Sequence, residues 1–150
     1  MAAKSAVFDN DLLKLIFNAT NIANIADNTA TAPLTTLFVA LHTADPSTTA
    51  GAGTVGTQNA SEISYTGYAR VAVARTTGGF TVTGNSVSPV NPVAFGQMTA
   101  GTGGTANFFS IGVAVSGATK ILYSGAISPT IAVANGVTPQ LTTASTVTES

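Results

Sequence analysis

The side chains best suited to chemistry in this sequence are a histidine and a nearby carboxylate. His42 is the only histidine of the chain, and Asp45 lies three positions further on. A catalytic dyad needs a nucleophile and an orienting acid around the base, and a zinc site needs three or four ligands. Since these two residues supply neither set, we expect His42 to hydrogen-bond to backbone at a turn. We expect Asp45 to stabilise that turn through a side-chain oxygen.

The other candidate motifs favour a structural role over catalysis. The acidic residues are scattered along the chain, and no stretch has the alternating acids of a calcium loop. The glycine-rich segment 101–105 is not followed by the Lys-Ser/Thr pair of a phosphate-binding loop. The absence of cysteine excludes disulfides, thiolate catalysis and Cys-ligated zinc. The sequence therefore predicts no catalytic residue, no cofactor and no metal site.

A stacking site is conceivable where aromatic and basic side chains alternate. Tyr65 precedes a predicted strand over Tyr68–Arg75, in which Tyr68 and Arg70 share one face. A base or a sugar could stack there, but a cation over an aromatic ring is also an ordinary packing arrangement. Packing or subunit contact is the favoured interpretation, and the lack of Trp counts further against a carbohydrate platform.

Length and charge limit the classes of partner. A chain of 150 residues is the usual size of one domain, so we expect a single domain over 1–150. Only 7% of the residues are charged and the net charge is -1, so no basic field exists for nucleic acid or an anionic membrane. The most apolar tract, 111–133, contains glycine, proline and a lysine, which argues against a membrane span. Asp9 and Asp11 interrupt the region where a secretion signal would need an apolar stretch.

A short N-terminal helix is predicted by one apolar stripe. Its members, at helical spacing, are Leu12, Leu13, Ile16 and Phe17. Asp9 or Asn10 could cap this helix, and Asn18 would end it. An irregular connection follows, so the segment of about 1–33 is expected to form a helical arm.

Short β-branched and aromatic runs, separated by turn residues, follow the arm and predict an all-β domain. The sequence predicts about eight antiparallel strands in a jelly-roll-like sandwich, at 37–41, 68–75, 79–83, 93–98, 107–115, 120–126 and 130–134, with a weaker one within 137–148. The segment of about 47–61, rich in Gly, Thr and Ala, is predicted to be a mobile loop.

The predicted strand 107–115 alternates large apolar residues with small ones. The residues that would face inward are Phe109, Ile111, Val113 and Val115, and those that would face outward are Ser110, Gly112 and Ala114. Exposed sheet edges are normally protected by charge, and this sequence has few charges for that purpose. Small neutral outer faces therefore suggest that another subunit covers part of the sheet and that the protein is a homo-oligomer.

Two blocks in fixed order carry a family resemblance. The first is Leu-His-Thr-Ala-Asp-Pro at 41–46, which ends in Pro46, and the second is Gly-Tyr-Ala-Arg at 67–70. With the helix and the Gly/Thr loop, they resemble small bacteriophage virion proteins labelled tail fibre or capsid decoration (cement) proteins.

The resemblance implies a non-enzymatic structural protein of the virion, assembled in the host cytoplasm. Capsid decoration is the first expectation, with the major capsid protein and copies of the same chain as partners. A tail or tail-fibre component is the alternative. It ranks second because the sequence has no coiled-coil heptads or elongated repeats, which a fibre shaft would need. A host-surface glycan-binding module is a further alternative, which exposed aromatic residues at a loop-lined end would indicate.

The second block also allows an interpretation residue by residue. Gly67 is expected to supply a bend or a close backbone approach, and Tyr68 to supply buried area. Arg70 is one of only five cations and is expected to pair with a carboxylate such as Glu62 or Asp45.

Overall fold

One helix and nine strands form the regular structure of the described residues. The computed structural model describes residues 6–22, 33–47 and 56–149. The elements are α1 (Ala6–Asn18), β1 (Thr36–His42), β2 (Val71–Ala74), β3 (Phe80–Thr83), β4 (Ser86–Pro89), β5 (Val93–Ala94), β6 (Gly104–Gly112), β7 (Ile121–Val133), β8 (Gln140–Leu141) and β9 (Val147–Thr148). The pairings for which a register is defined are antiparallel. The predicted all-β class with one short N-terminal helix is confirmed, and the jelly-roll order stays a prediction.

The chain divides into two compact units. The smaller unit comprises the described parts of Met1–Leu37, Val73–Pro92 and Thr142–Ser150, and the larger one comprises those of Phe38–Ala72 and Val93–Leu141. Strands β1 and β2 each begin in one unit and end in the other. The prediction of a single domain over 1–150 stays a prediction.

In the smaller unit, α1 buries its apolar stripe. Leu13 and Phe17 are fully buried, and the Phe17 ring meets the Phe80 ring of β3 edge to face with centroids 4.9 Å apart. This edge-to-face geometry is favourable for aromatic pairs. The sequence-predicted helix is therefore part of the core of this unit.

The helix begins earlier than its predicted caps. It starts at Ala6, so Asp9 lies within its first turn and neither Asp9 nor Asn10 is the residue that starts it. A carboxylate in the first turn still interacts favourably with the helix dipole. The Asn10 side chain instead donates a 2.6 Å hydrogen bond to the carbonyl of Gly84.

A β-hairpin that the sequence analysis missed completes the smaller unit. Strands β3 and β4 pair with Thr83 opposite Ser86, so Gly84 and Asn85 form a two-residue turn. Gly84 has a φ of 60°, and a positive φ is what such tight hairpin turns require. The signal was present in the sequence as Gly-Asn between two alternating runs. Strand β9 then pairs with β4, and the order is β3-β4-β9.

In the larger unit, β1 and β6 form the centre of a sheet with the order β2-β1-β6-β7. Leu41 pairs with Phe109, and His42 pairs with Phe108. Strand β1 is covered on both faces, since residues 39–42 are all buried. The predicted outward face of β6 is wrong, because Ser110 and Gly112 are also buried. Polar side chains of the same unit, rather than solvent, lie over that face. The predicted inward position of Val115 is wrong too, because β6 ends at Gly112 and Val115 is 60% exposed.

Strand β7 replaces two predicted strands. Phe108 of β6 pairs with Ala126, and Ala106 pairs with Ile131, so residues 127–130 of β7 lie opposite Asn107 alone. This wide bulge coincides with the gap between the two predicted strands. The sequence located the interruption correctly but could not show that both halves pair with the same neighbour. A two-stranded sheet of β5 and β8 completes this unit.

Candidate functional site

The buried guanidinium of Arg70 is the centre of the polar structure in the larger unit. Its side chain is only 1% exposed, and Nη2 lies 2.7 Å from Oε2 of Glu62. Nε donates a second hydrogen bond, of 2.8 Å, to Oε1 of Glu62. The two bonds form a bidentate arginine–carboxylate pair, which is among the stronger polar contacts in proteins. The predicted pairing with Glu62 is confirmed, and the Asp45 alternative is not the one observed.

The remaining Arg70 donors connect four further chain positions. Nη1 donates to Oε1 of Gln58 at 3.1 Å and to the carbonyl of Ala114 at 3.0 Å. It also approaches Oγ1 of Thr119 at 3.2 Å, while Nη2 donates to the carbonyl of Gly117 at 2.8 Å. These contacts leave no guanidinium nitrogen without an acceptor. We refer to Arg70, Glu62, Tyr68, Gln58 and Thr119 as the Arg70 cluster.

Tyr68 joins this cluster to the β-sheet. Its hydroxyl donates to Oε1 of Glu62 at 2.9 Å and accepts a 3.1 Å hydrogen bond from the N–H of Leu41 in β1. Its ring lies parallel to that of Phe95 at 6.0 Å and meets Tyr65 edge to face at 5.3 Å. Burial raises the pKa of the Tyr68 phenol, so the group stays protonated and acts as a donor. The predicted packing role of Tyr68 therefore includes a hydrogen-bonding role.

Gln58 is the member of the cluster that sequence reasoning missed. Its side chain is fully buried, Nε2 donates to the carbonyl of Phe38 at 2.7 Å, and Oε1 accepts from Thr119 at 3.3 Å. It belongs to the segment 47–61, which was predicted to be a mobile loop. Residues 48–55 of that segment lie outside the described residues, whereas 56–61 are tied to the larger unit. A polar residue in a Gly/Thr-rich stretch gives no signal of such burial.

His42 occupies a separate buried site beside the cluster. Its Nδ1 lies 2.9 Å from the carbonyl oxygen of Ala60, which can only accept, so Nδ1 carries the proton. Nε2 is then the acceptor for the hydroxyl of Ser110, 2.8 Å away. Burial lowers the pKa of His42 and favours this neutral form. The predicted hydrogen bond to backbone at a turn is confirmed.

A serine that donates to a histidine resembles the nucleophile and base of a hydrolase. Here both side chains are fully buried, so no substrate can reach the Ser110 oxygen in this conformation. The pair ties β1 to β6 and to the segment that contains Ala60. Its geometry is that of a structural contact.

The turn after β1 has the predicted arrangement. Oδ1 of Asp45 accepts hydrogen bonds from the N–H of Ser47 at 2.9 Å and from its hydroxyl at 2.7 Å. Pro46 between them is fully buried. Asp45 therefore stabilises the turn through its side-chain oxygen, as expected from its sequence position.

Gly67 stands where no other residue fits without strain. Its φ is 104°, and a Cβ at this position would lie 2.2 Å from the carbonyl oxygen of Gln97. Both the positive φ and the close backbone approach favour glycine. The predicted bend or close approach at Gly67 is confirmed.

The three apolar interface candidates lie in the smaller unit, away from the residues above in sequence. Leu13 and Phe17 are fully buried and Leu12 is half-buried. In this conformation the first two contribute to the core of their own unit and offer no surface to a partner. That any of these residues contacts another subunit stays a prediction.

A surface groove adjoins the Arg70 cluster. Its cavity volume is about 500 Å³, and it is lined by Glu62, Ser64, Tyr68 and Arg70 from one stretch of chain and by Val115 and Ser116 from another. Val115 is 60% exposed, which is unusual for a residue of its type. The groove lies wholly within the larger unit.

The described residues contain no group of three or more His, Asp or Glu side chains placed to hold a metal ion. In the same part of the chain, no helix has the length and apolar character needed to cross a membrane.

The fold and the sites above define an all-β protein in which buried polar side chains hydrogen-bond to distant segments of the same chain. The model of one family, described as podophage GP4 fiber I protein gp80, matches residues 3–149. Because this match covers nearly the whole chain, the protein belongs to that family of phage fibre proteins. No curated protein matches the chain. The family membership confirms the expectation of a bacteriophage structural protein and of a virion component.

The same match bears on the choice between the predicted virion locations. A fibre family supports the tail-fibre alternative better than capsid decoration, which was the first expectation. Whether the blocks at 41–46 and 67–70 are markers of the family stays a prediction.

Proposed function

We propose that this protein is a non-enzymatic component of a phage tail fibre, which works by packing against other tail proteins and against copies of itself. The observation that carries the proposal is the match of residues 3–149 to a phage fibre family. The chemistry of the described sites agrees with it, because Arg70, Glu62 and His42 form their hydrogen bonds with other residues of the same chain. Such groups stabilise a fold and leave the surface to make contacts.

The surface favours contacts that depend on area rather than on charge. The chain has a net charge of -1 and 7% charged residues, so long-range attraction to a partner is weak. The large apolar side chains exposed among the described residues are Val7, Leu34, Val90 and Val115. Attachment through such residues is expected to change little between low and high salt.

The glycan-binding alternative predicted exposed aromatic residues at a loop-lined end. Among the described side chains, every aromatic one is buried or half-buried. A platform on which sugars stack is therefore not favoured as the function of this protein.

Sedimentation of the purified protein with isolated tails and, separately, with isolated heads tests the proposal. We expect saturable binding to tails in few copies, with similar amounts bound at low and high salt. Binding to heads in hundreds of copies would instead establish capsid decoration. Binding to neither particle would contradict both virion assignments.

A further inference from the structure

The turn that follows β7 contains the one Asn-Gly pair of the chain, Asn135 and Gly136. An asparagine side chain that precedes a glycine is open to attack by the backbone nitrogen of that glycine, because no side chain on the glycine hinders the approach. Both residues are exposed to solvent. The turn therefore carries an amide that can react with its own backbone.

The geometry of this turn is defined by one hydrogen bond and one backbone angle. The N–H of Val137 donates to the carbonyl of Ala134 at 2.9 Å, which closes a four-residue turn. Gly136, at the third position, has a φ of 83°, whereas the φ of Asn135 is not positive. This combination is that of a type II turn, in which glycine is favoured at the third position.

The segment that contains Gln97 and Met98 holds the turn from the side. The N–H of Gly136 donates to the carbonyl of Met98 at 2.8 Å, and the N–H of Met98 donates to the carbonyl of Val137 at 2.9 Å. The side chain of Gln97 donates from Nε2 to the carbonyl of Gly136 at 2.9 Å. The backbone nitrogen that would attack Asn135 therefore has its proton engaged by Met98.

The reaction open to this pair is ring closure to a succinimide, followed by hydrolysis. The nitrogen of Gly136 loses its proton to solvent base and forms a bond with Cγ of Asn135. The bond from Cγ to Nδ2 breaks, and Nδ2 takes up a proton from solvent and leaves as ammonia. Water then opens the ring at Cγ to give aspartate, or at the α-carbonyl carbon to give isoaspartate. Water is the only co-reactant that the two steps consume.

The native turn opposes ring closure. The ring requires Cβ of Asn135 and the nitrogen of Gly136 to lie on the same side of the Cα–C bond of Asn135. A type II turn holds ψ of its second residue near about +120°, which keeps these two atoms apart. Rotation about that bond would break the hydrogen bonds from Gly136 to Met98 and from Val137 to Ala134. The reaction therefore requires the turn to open, and its rate depends on the free energy of that local opening.

We propose that Asn135 is a site of spontaneous deamidation that the native turn suppresses, so that the modification accumulates in chains whose turn has opened. The product adds a negative charge to a chain with a net charge of -1. Isoaspartate also lengthens the backbone by one atom, so the hydrogen bond from Val137 to Ala134 cannot re-form in the same geometry. The proposal goes beyond the fibre assignment and does not depend on it.

Incubation of the full chain at pH 8, folded in buffer and unfolded in guanidinium chloride, tests the site. Peptide mapping by mass spectrometry, with separation of aspartate from isoaspartate, measures the rate at each asparagine. We expect Asn135 to be the fastest asparagine of the unfolded chain, and its rate in the folded protein to be lower by ~10-fold or more. Equal rates in the two states would overturn suppression by the turn. A slower reaction at Asn135 than at another asparagine of the unfolded chain would overturn the site itself.

Two matched variants test the contacts that hold the turn. Gln97→Ala removes the hydrogen bond to the Gly136 carbonyl and should raise the folded-state rate by ~5-fold, the usual effect of one neutral hydrogen bond. Gln140→Ala removes an exposed glutamine side chain of β8 in the same unit and should leave the rate unchanged. Neither variant should alter the rate in guanidinium chloride. The same folded-state rate in Gln97→Ala and in the wild type would contradict the proposed restraint.

A third variant tests the route of the reaction. Gly136→Ala places a side chain beside the attacking nitrogen and should lower the rate in the unfolded chain, where the fold has no influence. An unchanged rate, with aspartate and no isoaspartate as product, would show direct hydrolysis of the side-chain amide and would overturn the succinimide route.

Discussion

Two arginines, one in each unit, show how different surroundings use the same side chain. Arg70 in the larger unit is buried and makes a bidentate pair with Glu62. Arg75 in the smaller unit is half-buried and donates to the carbonyls of Leu15 and Ile16 at the end of α1 and to that of Leu34. The first contacts balance a buried charge, whereas the second satisfy backbone carbonyls at the negative end of a helix dipole.

Burial determines how many groups lose their hydrogen-bond partner for good when each guanidinium is removed. Without Arg70, the Glu62 carboxylate, the Gln58 amide and two backbone carbonyls lose a partner in the interior. Without Arg75, carbonyls at a helix end lose a partner where water can partly replace it. The same substitution at the two positions should therefore have unequal effects.

The largest effect is expected for Arg70→Ala. Removing one partner of a buried ion pair destabilises a protein by about 3–5 kcal/mol, because the other charge is left uncompensated. The free energy of unfolding, measured in urea, should fall by this amount while the isolated fold persists. Arg70→Lys keeps the charge but cannot form the bidentate pair. Its free energy of unfolding should therefore lie between those of the wild type and of Arg70→Ala. A loss below about 1 kcal/mol for Arg70→Ala would show that the Arg70 cluster is not energetically central.

A glycine in each unit extends the comparison. Gly67→Ala in the larger unit combines a φ of 104° with a contact of 2.2 Å to the Gln97 carbonyl, and should cost about 2–4 kcal/mol. Gly84→Ala in the smaller unit has a φ of 60° but no atom within 4 Å of the new Cβ, so about 1 kcal/mol is expected. Urea unfolding measures both. Equal losses would mean that the close approach to Gln97 adds nothing to the strain.

Arg75→Ala should have a smaller effect than Arg70→Ala. Interactions of a cation with the carbonyls at a helix end contribute about 1–2 kcal/mol in partly buried positions. We expect a loss of that size in urea unfolding, together with faster amide hydrogen exchange in α1. Arg75→Lys should recover part of the loss, since an ammonium group also interacts favourably with these carbonyls. A loss as large as that of Arg70→Ala would remove the distinction drawn between the two arginines.

The smallest expected effect is the pH dependence of stability that comes from His42 in the larger unit. Burial lowers the folded-state pKa of His42 below 6.5, although Glu62 and Asp45 oppose the shift and Arg70 adds to it. Between the folded pKa and 6.5, the unfolded state binds more protons, so stability rises with pH. The stabilisation is fully present above 6.5 and is lost as the pH falls through that window.

Urea midpoints measured from pH 8 to pH 5 test this dependence. His42→Gln cannot titrate and should lose the part of the slope that belongs to His42. The one histidine of the chain lies in the larger unit. As the pH falls, protection against amide exchange, corrected for the intrinsic exchange rate, should therefore decrease first in that unit. An identical slope in the wild type and in His42→Gln would contradict the assignment.

The ion pair of Arg70 could be predicted because the chain contains few carboxylates that could be its partner. With five cations and six acids in the chain, Glu62 and Asp45 were the natural partners of Arg70, and one of them is the partner. The role of Asp45 also followed from sequence, because the turn it stabilises depends on neighbouring residues. The bend at Gly67 was indicated by its residue type, but Gln97, which it approaches, is distant along the chain. Gln58, Ser110 and Thr119 could not be found this way, since each has a side-chain partner 49 to 68 residues distant along the chain.

The all-β class, the N-terminal helix and the membership in a phage fibre family follow from the amino-acid sequence, because they depend on local periodicity and on similarity along the chain. Which of the small residues of β6 are buried depends on tertiary contacts, because Ser110 is buried against His42 and Gly112 against Gln58. Tertiary structure also brings Ser64 and Ser116 to one groove. Periodicity determines which residues share a face of one strand, but what covers that face depends on segments distant in sequence.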